Sequence, residues 1–248
     1  MILMLIAFLT PLIGSASLLA ACAAFIYYAT YNVRSQWLGR TDWRGRRDTG
    51  AVALTFDDGP SEDTERILDI LAQHNLRATF FMIGRHVERF PQIARRIIAG
   101  GHEIGNHSYS HPIYLYRSPR ETRRQLERAQ AVIKETTGVQ PNLARPPCGV
   151  RTPAYFAATG RLGLRTVQWD VAGFDWKRHG TNVIARDVLR RVRAGSIILL
   201  HDGDSDDKCD RRATAAALPL IIEGLRERGL TIVPLAELLK ESEVKITA

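Results

Sequence analysis

Apolar and polar positions divide the chain abruptly near residue 33. From Met1 to Tyr31 the only interruptions to an apolar run are Thr10, Pro11, Gly14, Ser15, Ser17 and Thr30, and no charged residue precedes Arg34. About 20 such residues suffice to cross a bilayer core, so residues 1–33 predict a membrane anchor. A cleaved signal peptide is the competing reading. Its positive n-region is missing, and its apolar run is normally only about 7–15 residues long. Leu19-Ala20-Ala21-Cys22 has the form of a lipoprotein cleavage box, yet the apolar run continues to Tyr31, which suits a continuous helix better.

Residues 34–50 read as a basic stem, residues 51–240 as the folded domain and residues 241–248 as a tail. Within the domain, compact apolar runs alternate with stretches of helical period. Strands are expected over 51–56, 78–83, 102–105, 142–145, 166–169, 196–200 and 230–233. Helices follow Ser61 (with Ile67, Leu68 and Leu71 on one face) and over 91–99, 120–136, 152–159, around Ile184, Val188 and Val192, and over 213–226. About seven alternations argue for a parallel α/β arrangement. An open doubly wound sheet and a (β/α) barrel both fit. No Gly-x-Gly-x-x-Gly follows the first strand, which removes support for a dinucleotide-binding sheet. In a barrel, chemistry collects where strands end, and polar clusters fall there repeatedly.

Composition narrows the classes. Hydrophobic residues make up 45% and charge is mixed, so a disordered chain is excluded. Three cysteines exclude a disulfide framework, and free thiols are expected for Cys148 and Cys209. No second long uncharged run follows the first, against a polytopic membrane protein. The net charge of +8 comes without a nucleic-acid-binding motif or stacking aromatics. No nucleic-acid partner is expected, and the pairs Arg123-Arg124, Arg190-Arg191 and Arg211-Arg212 read as solvated faces. His74, His86, His102 and His179 lack motif partners and read as surface or packing residues.

Five clusters carry candidate chemistry. Asp57-Asp58-Gly59-Pro60 ends the first strand; neighbouring side chains there point different ways, so the two acids can divide a metal-binding and a base role. The same residues also suit a plain turn into a helix. His107 and His111 stand four apart, on one face of a helical turn or brought together by a loop. With one carboxylate they make an open metal site. Arg145-Pro-Pro-Cys-Gly149 stiffens an arginine able to clamp a carboxylate through paired hydrogen bonds. Trp169-Asp170 through Asp175-Trp176 gathers acids and aromatics. His201 ends the most apolar strand, either as a satisfied core residue or as a proton-transfer group. The acidic loop at residues 204–210 reads as a flap beside the site.

In this order, the motifs Thr-Phe-Asp-Asp-Gly-Pro, His-x3-His, Arg-Pro-Pro-x-Gly, Asp-Trp and Leu-x-His resemble the polysaccharide deacetylases with a NodB-homology domain, carbohydrate esterase family 4, over residues 51–239. The resemblance implies a distorted (β/α) barrel of about seven parallel strands and metal-dependent removal of N-acetyl groups from amino sugars. It also implies roles. Asp57 matches the catalytic base, Arg145 the arginine that orients it, His201 the catalytic acid and Asp175 its partner. Asp58, His107 and His111 match the metal ligands. Trp176 and Leu199 match the walls of the acetyl pocket, and the backbone of Cys148 an oxyanion donor. Cys148 stands where relatives usually carry an aromatic residue.

The implied cofactor is one divalent metal. Zinc is the default for redox-inert hydrolysis, and cobalt, nickel and iron suit the same ligands. The implied partner is a carbohydrate, peptidoglycan or a chitin-like glycan, with the membrane reached through the first helix. Two other readings stay open: an N-deacylase or deformylase of a lipid-linked amino sugar at the membrane face, and a non-catalytic carbohydrate binder. A polymer substrate places the domain on the envelope side, whereas Arg34, Arg40, Arg44, Arg46 and Arg47 after the helix favour the cytoplasm by the positive-inside rule.

Overall fold

In the computed structural model, which describes residues 2–240 and the side chains of residues 17–239 apart from Leu115, strand β1 (Ala51–Asp57) is buried at every residue. A strand covered on both faces reads as a continuous apolar run, and its two faces meet different neighbours. Val52, Leu54 and Phe56 pack outward with Ile67, Leu71, Ile184, Val188 and Leu218 from the surrounding helices. Ala51 and Ala53 face the interior with Phe81, Val167 and Leu235. The two-residue period of the strand therefore sends Asp57 inward, in line with Ala53 and Thr55.

β1 lies between β2 (Thr79–Met82) and β7 (Ile197–His201), with β8 (Thr231–Ile232) beside its first two residues. Outward from β2 come β3 (Glu103–Asn106), β4 (Leu143–Ala144) and β5 (Arg165–Thr166); β6 (Val171–Ala172) flanks β7. Every pairing is parallel, and the sheet curls into an incomplete barrel. Among the described residues no ladder closes it between β5 and β6. There Asp42 bridges Val167 and Arg44 bridges Ser196, with Asp42 also ion-paired to Arg165. The segment that reads in the sequence as a stem is thus part of the barrel wall.

The outer layer comprises α2 (Glu62–Gln73), α4 (Pro91–Ala99), α5 (Pro119–Thr137), α6 (Pro153–Arg161), α7 (Thr181–Arg191) and α8 (Arg212–Glu227). At the start of α2, Ser61 Oγ accepts from the Asp63 N–H at 3.1 Å and Thr64 Oγ accepts from the Ser61 N–H at 2.8 Å. This reciprocal cap fixes the chain just after the two acids.

The expected parallel barrel of about seven strands is present, with a path of seven strands and β8 beside β1; the two residues of β6 carry too little pattern to be seen in the sequence. Several expectations need correction. The strand expected at 166–169 contracts to Arg165–Thr166. Two short helices, α3 (Gly84–Arg89) and α9 (Leu235–Lys240), were not foreseen. Helix α1 (Ile2–Tyr31) forms where the leader is apolar. Among the described residues no helix is long and apolar enough to cross a membrane. The anchor expected over 1–33 falls, for its first sixteen side chains, outside the described residues, as does the tail at 241–248.

Leu54 is wholly buried at the centre of this arrangement. Leu54→Ala is expected to destabilise the domain by about 2–5 kcal/mol through lost burial and the cavity left behind. Urea unfolding measures this, and a loss below about 1 kcal/mol would contradict the central place of β1.

Candidate active site

The C-terminal ends of β1, β3, β4 and β7 converge on one cleft of about 340 Å³. Asp57, Asp58, His107, His111, Cys148 and His201 line it, with Trp169, Trp176 and Leu199 as apolar wall and Asp204, Ser205 and Arg211 at one side. Of the residues singled out in the sequence, Arg145 and Asp175 lie just behind this surface, each bonded to a lining residue. Asp170 does not join them: its carboxylate accepts from Ser196 Oγ and the Ile197 N–H near the start of β7.

Asp57 and Asp58 are separated by a sharp backbone turn. Asp58 has φ +74°, a left-handed conformation that is uncommon outside glycine. Three contacts hold it. His86 Nδ1 donates to the Asp58 carbonyl at 2.7 Å. The Gly59 N–H donates to Asp202 Oδ1 at 3.0 Å. Gly203 presses so closely that a Cβ there would sit 2.4 Å from the Asp58 oxygen. Asp202 also bonds Thr64 Oγ at 2.6 Å. A Cβ on Gly59 would lie 2.0 Å from Asp202 Oδ2, so this close approach needs glycine.

The Asp58 carboxylate then meets two imidazoles. His107 Nε2 and His111 Nε2 lie 3.4 and 3.3 Å from Asp58 Oδ1. The His107 side chain donates from Nδ1 to the Arg145 carbonyl at 2.7 Å, which leaves Nε2 as the lone-pair nitrogen facing the acid. The His107–His111 segment is a loop rather than a helical turn, and His111 reaches the site through φ +57°. Asp58, His107 and His111 bring their ligand atoms within 4.8 Å of one another. Asp58 Oδ1 is buried without a hydrogen-bond donor. A buried carboxylate oxygen facing two imidazole nitrogens fits a divalent cation, so these three residues can hold one metal with positions left open.

Local electrostatics agree. Burial works against charge on Asp58, but the neighbouring histidines, His111 foremost, hold its carboxyl well below the usual range. Burial, aided by the charges of His107 and His201, pushes His111 down to about 4, so it is neutral with its lone pair available. Burial opposes charge on His107 too, yet Asp57 and Asp58 raise it overall. The acids around Nε2 call for a positive charge at this point.

Asp57 is held differently. Arg145, wholly buried, donates from Nη1 to Asp57 Oδ1 at 2.7 Å and to Thr55 Oγ at 2.8 Å, and from Nη2 to the Gln168 carbonyl at 3.0 Å. The expected two-point fork is a single bond, because Nη1 is shared with Thr55 and Nη2 turns to the Gln168 carbonyl. His201 is gripped at two points by Asp175: Nδ1 at 2.8 Å and the backbone N–H at 2.7 Å. Thr214 Oγ donates to the same carboxylate at 2.9 Å. Burial would lower the His201 pKa, but Asp175 outweighs it and holds it at about 9. Trp176 stands edge-on to His201 at 5.4 Å, and Leu199 is buried beside them. Cys22, Cys148 and Cys209 are free thiols.

Residues without sequence motifs complete the site. Asp202 and His86 position the loop after β1. Arg211, expected to be solvated, is buried; its N–H bonds Asp63 and its guanidinium bonds Asp204 at 3.0 Å and the Gly203 carbonyl. His102 is also buried, with Nδ1 accepting from the Ala78 N–H at 3.2 Å. A His, Asp or Arg beside a motif is the only signal available in sequence, and it does not separate these from surface residues. Replacing a metal ligand is expected to cost more than replacing these supports: Asp58→Asn or His107→Ala should weaken zinc or cobalt binding at least roughly a hundredfold. Calorimetry on the refolded, chelator-treated chain reads this, and unchanged affinity would remove the triad from the metal site.

The sequence of this geometry has known relatives. The family profile described as polysaccharide deacetylase matches residues 44–167. A chitooligosaccharide deacetylase from Bradyrhizobium is 38% identical over 199 residues, covering 77% of this chain and 91% of that protein. A peptidoglycan-N-acetylglucosamine deacetylase from Bacillus cereus is 37% identical over 200 residues, covering 80% and 72%. Among solved structures, a carbohydrate esterase family 4 pseudoenzyme from Bacillus anthracis superposes with a TM-score of 0.74 at 32% identity, covering 82% of this chain and 69% of that one. With the barrel, the cleft and these relatives in agreement, the chain belongs to the polysaccharide deacetylases of NodB homology, carbohydrate esterase family 4.

Proposed function

We propose that this chain is a metal-dependent hydrolase that removes N-acetyl groups from the amino sugars of a polysaccharide, peptidoglycan or a chitin-like glycan, and releases acetate. Because the family also contains a pseudoenzyme, the reading rests on side chains rather than on membership. The observation that carries it is the convergence of Asp57, the Asp58–His107–His111 triad and the His201–Asp175 pair on one cleft.

Amide hydrolysis needs an activated water, a stabilised oxyanion and a protonated leaving nitrogen. Asp58, His107 and His111 would hold a divalent metal, zinc by default, which would supply Lewis-acid polarisation of the carbonyl and acidify water. Asp57 is the base: Arg145 occupies Oδ1, and Oδ2, 3.7 Å from His107 Nε2, takes the water proton. His201 is the acid. Its Nδ1 is fixed by Asp175, so its charged ring presents Nε2 to the nitrogen that must leave. The Cys148 N–H serves as a donor to the oxyanion; the residue lines the cleft and has φ +54°. Trp176 and Leu199 enclose the acetyl methyl.

A polymeric envelope substrate places the domain outside the cytoplasm, and protease accessibility in intact cells reads this directly. The activity itself is tested by acetate release from an N-acetylated oligosaccharide with metal and with chelator. Release that survives full removal of metal, or His201→Ala at near wild-type rate with its fold intact, would overturn the reading. The rate is expected to fall on the alkaline side as His201 loses its proton. Asp175 raises the His201 pKa, so Asp175→Asn should move that limb to lower pH by roughly one unit or more. An unmoved limb would remove His201 as the acid.

A further inference from the structure

β3 ends at Asn106, the residue before His107, and its side chain is wholly buried. Its amide nitrogen Nδ2 donates to the Leu126 carbonyl and to Gln130 Oε1 of α5, both at 2.9 Å. Its oxygen Oδ1 accepts from the Ser108 N–H at 2.9 Å. These partners fix which end of the amide is which, because a carbonyl only accepts and a backbone N–H only donates. Gln130 is itself held, its Nε2 donating to the Pro141 carbonyl. Both N–H groups and the oxygen of Asn106 are thus engaged within the fold.

The loop held by these bonds is one that a chain does not adopt freely. Ser108 and His111 have φ +66° and +57°. Such left-handed conformations are uncommon outside glycine and persist where the surroundings over-determine them. The Ser108 N–H is tied to Asn106, and Ser108 Oγ accepts from the His111 N–H at 2.9 Å. Between the two histidines, Gln125 Oε1 of α5 accepts from the Ser110 N–H at 2.9 Å. On the sheet side, the His107 N–H donates to the Met82 carbonyl and the Arg145 N–H to the Asn106 carbonyl, both at 3.0 Å. Helix α5 therefore anchors the loop at two points, and Asn106 is where that anchor meets the strand.

We propose that Asn106 is a positioning residue for the metal centre: bonded to α5, it presets the loop so that His107 and His111 converge on Asp58. The inference rests on the reading of Asp58, His107 and His111 as metal ligands, and adds the group that aligns two of them. The chemistry of the pocket around Asn106 calls for an amide. An ionised aspartate has the same shape, but its second oxygen would face the Leu126 carbonyl and Gln130 Oε1 with no proton to share. Alanine would leave the buried Ser108 N–H and Gln130 Oε1 without these partners. In both cases the three ligands are intact and their alignment is lost, so metal affinity falls with the ligand set unchanged.

The test is zinc binding by calorimetry to the full chain stripped of metal with chelator. The Kd for zinc should rise at least roughly tenfold in Asn106→Asp and in Asn106→Ala. Ile133→Ala is the comparison, because Ile133 is a buried apolar residue of the same helix. It should lower the melting temperature through lost packing and keep the zinc Kd within about threefold. Melting curves show which variants fold. If neither Asn106 variant does, Gln130→Leu, which takes one acceptor from the amide, should by itself raise the Kd roughly tenfold. Wild-type affinity in a folded Asn106 variant, or in Gln130→Leu where those do not fold, overturns the positioning role. An equal loss in Ile133→Ala overturns it too, since affinity would then follow stability alone. A wild-type chain that binds neither zinc nor cobalt overturns the metal-site reading and the inference with it; a wild type that binds zinc separates the two.

Discussion

The backbone turn between Asp57 and Asp58 is the constraint on which the rest of the site depends. Along β1 the alternation of side chains sends Phe56 to the helices and Asp57 to the interior. A strand continued by one residue would send Asp58 outward, away from the cleft. The left-handed conformation at Asp58 returns its carboxylate to the same cavity on a different bearing. Such a conformation costs on the order of 1 kcal/mol or more outside glycine and persists only where its surroundings over-determine it. Here His86, Asp202 and the bare backbone of Gly203 do so from three sides.

The clamp raises an electrostatic problem, because it adds a third acid beside Asp57 and Asp58. Burial, together with the charges of Asp58 and Asp57, pushes Asp202 up to about 7. Asp202 therefore holds the loop without full negative charge near neutral pH, and its oxygens stay occupied by Gly59 and Thr64. Asp57 and Asp58 are compensated separately, by a guanidinium and by imidazoles. Each acid keeps its own counter-group within a space of a few ångströms.

Most of the fold and the groups that face the cleft are legible in the sequence. β1, β2 and β7 are apolar runs of four to seven residues, long enough for their pattern to exceed chance, and Asp57, Asp58, His107, His111, Arg145, Asp175 and His201 stand at or near strand ends. What escapes is fixed by tertiary contact alone. β6 has two residues and no period to detect. Asp42 and Arg44 look like a charged stem, yet they bridge Val167 and Ser196, more than a hundred positions away. Asp202, His86 and Arg211 sit in no distinctive local pattern, and each has a partner 28 to 148 residues distant. Even the Arg145 clamp, correctly paired with Asp57, differs in detail, because Thr55 and Gln168 compete for its donors.

If the two acids have separate tasks, one substitution should separate them. The most direct measurement is zinc affinity and acetate release on the same preparation of Asp57→Asn. The division of labour predicts zinc affinity within about threefold of wild type, since Asp57 is no ligand, with acetate release reduced at least roughly a hundredfold for loss of a general base. Metal affinity lost together with activity, or activity retained without the carboxylate, would contradict it.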